Sequence, residues 1–123
     1  MPIIPTVRCS NLGVSVNFYT KLLDFVLTEA TVDLDDPGFC ALTRDGSWLY
    51  LSSHSGDGEF GQAIVVTVSD LDSLFLALKS RGLASPKDRI SPVHEAPTNQ
   101  TWGTRELYVD DPDGNTVRFV QIE

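Results

Sequence analysis

Apolar positions follow the same succession twice along the chain. A short apolar run, "IIPTVRC", leads into "CSNLGVSVNFYTKLL", where Leu12, Val16, Tyr19 and Leu23 share one face at helical spacing. A second run, "QAIVVTV", leads into "VSDLDSLFLALKSRGL", where Leu71, Leu74, Phe75 and Leu78 do the same. Ser69 followed three residues later by Asp72 predicts the start of the second helix, the serine capping free amides and the acid complementing the dipole. Gly82 after Arg81 predicts its stop.

The segments after the two helices are again alike. The first half continues with three strand-like runs, "FVLTEATVDL", "GFCALTR" and "SWLYLSS", the last two separated by the hairpin signal Asp45-Gly46. The second half continues with a less regular "RISPVHEA", then "RELYVD" and "TVRFVQI" around Asp111-Pro112-Asp113-Gly114, a tight reversal. Each half is strand, helix, then three strands, an internal repeat of about sixty residues. The expected class is α+β: one domain over residues 1–123, made of two βαβββ modules at about 1–55 and 62–123. The joining stretch "SHSGDGEFG" contains a literal GxGxxG, but a strand comes after it where phosphate binding needs a helix N-terminus, and Asp57 and Glu59 repel phosphate. It reads as a flexible connector.

Charge narrows the partners. The formal net charge of -8 repels phosphate backbones, so the pattern predicts no nucleic-acid partner and attraction for cations. Asp33, Asp35 and Asp36 form either a solvated loop or a surface that steers a positive ligand. No apolar run approaches the roughly 20 residues that span a bilayer, so no membrane association is expected. "MPIIPTVRCS" lacks the basic leader of a signal peptide, and Cys9 and Cys40 lack metal or redox spacing. A cytoplasmic protein with reduced, buried thiols is the expectation.

Several motifs carry a resemblance. The duplicated unit, "NFYTKLLDF" at the first helix end and "DPDGNTVRF" in the terminal hairpin resemble the glyoxalase, bleomycin resistance and dioxygenase (vicinal oxygen chelate) superfamily. "TWGTRELYVDDPDGNTVRFVQ" is similar to the bleomycin resistance proteins in particular. The likeness runs from about Ile4 to Gln121. It implies two modules forming a curved, partly open mixed sheet with helices outside and a cavity within. It further implies that metal-dependent members draw ligands from the first and last strands of each module. The matching positions here are Ile4, Tyr50, Ala63 and Arg118, none of which suits a divalent cation. The two histidines, His54 in the connector and His94 beside Glu95, read as surface or edge residues. Metal-independent binding without a cofactor is expected.

The same resemblance places Phe39 and Trp102 at aromatic positions that stack on the planar bithiazole of bleomycin-type drugs, and Ser52 at a pocket position. Tyr50, Gly103 and Arg118 complete the expected ligand-binding set. Trp102 sits in a polar, proline-containing loop, where it is either a platform for a ligand or an apolar lid; Trp48, inside "SWLYLSS", reads as packing. The implied function is sequestration of a bleomycin-family or other planar cationic molecule by a two-fold homodimer, with no bond made or broken. "MPIIP" reads as an arm crossing to the partner or as a loose terminus. Alternatives are a metal-dependent enzyme of the same fold, glyoxalase-like or a thiol transferase acting on fosfomycin, and a ligand-free interaction module.

Overall fold

The structure, a computed structural model, describes residues 2–28, 33–86 and 90–122. Its elements run β1 (Thr6–Arg8), α1 (Leu12–Lys21), β2 (Val26–Leu27), β3 (Phe39–Arg44), β4 (Ser47–Ser52), β5 (Ala63–Thr67), α2 (Leu71–Ser80), α3 (Pro92–Glu95), β6 (Thr98–Asn99), β7 (Thr104–Asp110) and β8 (Thr116–Ile122). They form two four-stranded mixed sheets, ordered β1-β4-β3-β2 and β5-β8-β7-β6. In each, the first strand lies parallel to the last and the remaining pairs are antiparallel. The tandem βαβββ plan is therefore present. The chain divides into two compact units, Met1–Gln62 with Asp111–Asn115, and Ala63–Asp110 with Thr116–Glu123.

In the first unit, the Asn11 carboxamide caps α1 by accepting from the Val14 amide at 2.9 Å. The helical stripe Leu12, Val16, Tyr19 and Leu23 is buried, together with Val7, Leu42, Leu49 and Leu51 from the strands. Each such side chain contributes about 1.5–3 kcal/mol on leaving water. Tyr19 carries its hydroxyl into this core, where it donates to Asp111 Oδ2 at 2.8 Å. Burial first, and the Asp111 carboxylate second, push the Tyr19 phenol far above its ordinary range. Asn115 closes the same network: its Oδ1 accepts from the amides of Gly61 and Gln62, and its Nδ2 donates to the Arg8 carbonyl and Asp111 Oδ2. The connector is thus tied down at its end, not flexible throughout as its composition suggested.

The β3–β4 hairpin turns where Asp45-Gly46 predicted, with φ of 51° and 79°. Two positive values in succession are what a two-residue type I′ turn demands. The long run after α1 supplies only the two residues of β2; residues 29–32 fall outside the described residues, and residues 33–38 are not strand. Within that loop Asp36 is more than solvated charge, because its Oδ1 accepts from the Leu12 amide at 2.9 Å. The Ser53 hydroxyl and that amide hold its carboxyl below the usual range. Cys9 and Cys40 are buried and unpaired, and burial pushes the Cys9 thiol up to about 11.

In the second unit the cap of α2 is Asp70, one residue beyond the expected Ser69; its carboxylate accepts from the Ser73 amide at 3.1 Å. Asp outranks a neighbouring Ser here because its side chain lies at the reach of the third helical amide. Leu71 and Leu78 are buried, whereas Leu74 and Phe75 are only partly so. Gly82 ends the helix with φ of 100°, and the Leu83 amide donates back to the Leu78 carbonyl. The described part of "RISPVHEA", residues 90–96, is not a strand: Pro92 begins the short helix α3, and pairing moves to β6 in the "PTNQ" stretch. Proline pre-sets the first helical turn and cannot donate to a sheet ladder. Among the described residues, no helix is long and apolar enough to cross a membrane.

Candidate functional site

Strand parity decides which side chains of the first unit face away from its core. On β4, Leu49 and Leu51 point inward, so Trp48, Tyr50 and Ser52 take the other face. Register adds Thr6 opposite Tyr50 and Phe39 opposite Ser52. Trp48, expected to pack, is 46% exposed for this reason. Phe39 is 51% exposed, and its ring meets that of Tyr50 edge to face, with centroids 5.2 Å apart. With Thr6, Asp57 and Gly58 these two rings border a cavity of about 410 Å³. Ser52 is buried, and its hydroxyl donates to Asp57 Oδ2 at 2.7 Å while accepting from the His54 amide.

The second unit offers a different arrangement. Trp102 sits in a turn completed by Gly103, whose φ of 95° suits glycine, and the tryptophan residue is 67% exposed. The ring is nevertheless fixed, because its Nε1 donates to Glu106 Oε2 at 3.1 Å. Glu106 lies on β7 and is only 6% exposed. It also accepts from the Thr104 hydroxyl and from the Tyr108 hydroxyl, the latter at 2.9 Å. The Thr104 hydrogen bond, then those of Tyr108 and Trp102 and the positive charge of Arg118, hold this carboxyl below its ordinary range against the opposing effect of burial. Arg118, opposite Tyr108 across β7 and β8, carries its guanidinium 5.0 Å from the centre of that ring. Burial first, then the hydrogen bond to Glu106, raises the Tyr108 phenol.

Beside this, His94 is placed in a chain of its own. Its Nδ1 lies 2.7 Å from Ser91 Oγ and its Nε2 lies 2.9 Å from Asp110 Oδ1. It borders, with Tyr108, Asp110 and Leu83, a cavity of about 260 Å³.

The family model for the glyoxalase/bleomycin resistance protein/dioxygenase superfamily matches residues 4–119. The chain belongs to that superfamily. No curated protein matches it. Among solved structures, a bleomycin-binding protein complexed with bleomycin is 23% identical, with 100% of this chain and 99% of that one covered, at a TM-score of 0.77. A bleomycin resistance determinant encoded on the transposon Tn5 is 24% identical, with 100% and 98% covered, at 0.76. TnmS3, an antibiotic-binding protein from Streptomyces sp. CB03234, is 21% identical, with 100% and 96% covered, at 0.74. At these identities the likeness establishes the shared fold.

Register sets which residues lie opposite one another on the end strands of each unit. Ile4 precedes β1, and the residue opposite Tyr50 is Thr6. Ala63 pairs with Thr116, and the residue opposite Arg118 is Val65. Neither end-strand pair, Thr6 with Tyr50 in the first unit or Val65 with Arg118 in the second, is by itself a pair of side chains that suits a divalent ion. Among the described residues, no three His, Cys, Asp or Glu side chains are grouped to hold a metal.

Of the expected site residues, Phe39, Tyr50 and Ser52 share the sheet face of the first unit opposite Leu49 and Leu51, with Ser52 itself buried, and Trp102, Gly103 and Arg118 lie in the second unit. Sequence reading missed Glu106 and Asp57. Glu106 was findable: in "TRELYVD" it shares strand parity with Thr104 and Tyr108, and a carboxylate flanked by two hydroxyls two residues away has ready donors. Asp57 gave no such signal, since only the folded connector carries it to Ser52.

Proposed function

We propose that this protein binds a bleomycin-family glycopeptide, or another planar cationic antibiotic, and holds it without chemical change. The observation that carries the reading is the Trp102 ring, exposed over most of its surface yet pinned by a hydrogen bond to a buried carboxylate. A ring needed for packing would be covered; a ring merely stranded at the surface would have no fixed orientation. An oriented, open aromatic face stacks a flat heterocycle for about 0.5–1.5 kcal/mol beyond area burial and forfeits little entropy on binding. Phe39 offers a second open ring in the first unit, and the net charge of -8 draws a cationic ligand. Likeness of fold to bleomycin- and antibiotic-binding proteins supports the same reading.

In this proposal the protein is a two-fold homodimer in the cytoplasm and a binder, not an enzyme. Protection is stoichiometric: each bound drug molecule is withdrawn from its target. A metal-dependent activity finds no support in the end-strand residues Thr6, Tyr50, Val65 and Arg118. The test is to incubate bleomycin with the protein, then denature the complex and recover the drug. Drug of unchanged mass, retained until denaturation, is expected. A modified product, or drug that passes through unretained, overturns the proposal.

A further inference from the structure

The connector joins the two modules in sequence, yet two of its residues complete a cavity. Asp57 and Gly58 border the space of about 410 Å³ that Thr6, Phe39 and Tyr50 line from the sheet. Phe39 and Tyr50 meet edge to face, so one wall presents aromatic surface. On another stands the Asp57 carboxylate, exposed and in no ion pair among the described residues. Its Oδ2 is fixed by the Ser52 hydroxyl at 2.7 Å, from a serine that is itself buried. One carboxylate oxygen is thereby anchored, and the other keeps its capacity to accept.

A positive charge does stand nearby. Arg8 lies opposite Ser52 in the sheet and its guanidinium donates to the Gly58 carbonyl at 3.4 Å. That guanidinium is laid against the Phe60 ring, 4.5 Å from its centre, which holds it in a stacked position of its own. It leaves Asp57 unpaired.

We propose that this cavity of the first unit is a binding site for an organic ammonium group, with Asp57 as counter-ion and the Phe39 and Tyr50 rings as its aromatic walls. Carboxylate and aromatic faces together select a cation that also carries apolar surface. A hydrated metal ion gains little from the rings, and a neutral aromatic forms no ion pair with Asp57. The inference rests on the function proposed above, whose second open ring is Phe39, and adds to it the counter-ion that an ammonium group would meet in the first unit.

The test uses the full chain and benzyltrimethylammonium as probe, followed by amide chemical shifts. Saturable shifts concentrated at Thr6, Phe39, Tyr50, Asp57 and Gly58 are expected. Benzyl alcohol, an uncharged aromatic, should bind at least about threefold more weakly, as should the probe to Asp57→Asn. Both differences should shrink as salt is raised. Asparagine retains an acceptor for Ser52, so that variant keeps the local hydrogen bond; Phe39→Leu, at a half-exposed position, checks the aromatic wall separately and should also weaken binding. Equal binding of probe and benzyl alcohol, unchanged binding by Asp57→Asn, or shifts scattered over the surface would each overturn the site. Probe binding without bleomycin binding would refute the antibiotic reading and leave this site standing.

Discussion

Replacing Glu106 by glutamine tests how the Trp102 ring is held. In the native protein the carboxylate accepts from Thr104 and Trp102 on one oxygen and from Tyr108 on the other. Glutamine is nearly isosteric: its carbonyl oxygen can keep the first two donors, and its amide can donate to a reoriented Tyr108 hydroxyl. The variant loses the charge in those three bonds and the attraction of Arg118. Charge-assisted bonds contribute roughly 1.5–3 kcal/mol against 0.5–1.5 for neutral ones, but the Trp102 bond is open to water and Arg118 is exposed, so the loss is about 1–2 kcal/mol. Urea unfolding at pH 7 reads this directly, and the melting temperature should fall by roughly 3–8 °C. The sign with pH is set by the depressed carboxyl. Its stabilisation is complete above the ordinary value of 4.5 and is lost as pH falls below that, through the folded-state value. The difference between native protein and Glu106→Gln should therefore close as the solution is acidified from about pH 6 to about pH 3. A variant as stable as the native protein at neutral pH, or a gap that widens in acid, would refute the reasoning.

Tyr19→Phe removes the buried hydroxyl that donates to Asp111 and should cost about 1–3 kcal/mol in denaturant unfolding, because a buried carboxylate oxygen keeps only the Asn115 donor of its two. Asn115→Ala removes four hydrogen bonds at once and should cost more than Tyr19→Phe in the same assay, with loss at the connector amides of Gly61 and Gln62 visible in hydrogen exchange. Prolonged treatment with a chelator should leave both melting temperature and ligand affinity unchanged; loss of either would point to a metal that Thr6, Tyr50, Val65 and Arg118 do not explain. Light scattering at micromolar concentration should report twice the mass of the chain, and the mass of one chain would defeat the proposed dimer.

The fold was legible because its evidence is periodic. Two helical stripes, a type I′ turn at Asp45-Gly46 and a glycine stop at Gly82 each record a local rule, and a rule repeated after about sixty residues is hard to mistake. Misreadings arose where local and tertiary signals compete. Ser69 and Asp70 can both cap a helix, and only the backbone path selects Asp70. Trp48 looks like core until the parity set by Leu49 and Leu51 turns it outward. Of the candidate site residues, Phe39, Tyr50 and Trp102 stand out by residue type; the rings of Phe39 and Tyr50 meet in the first unit, and Trp102 lies in the second. Glu106 and Asp57, which hold the ring of one unit and complete the cavity of the other, act through partners that sequence order does not reveal.

Calorimetric titration of bleomycin into the native protein and into Trp102→Ala, with unfolding curves of both, tests the central proposal most directly. The native protein should release or absorb heat to saturation. Trp102→Ala should bind roughly ten- to hundredfold more weakly, a loss of about 1–3 kcal/mol, while losing less than about 1 kcal/mol of stability, since Trp102 is 67% exposed. No heat of binding from the native protein, or a Trp102→Ala variant that binds normally, would contradict the account.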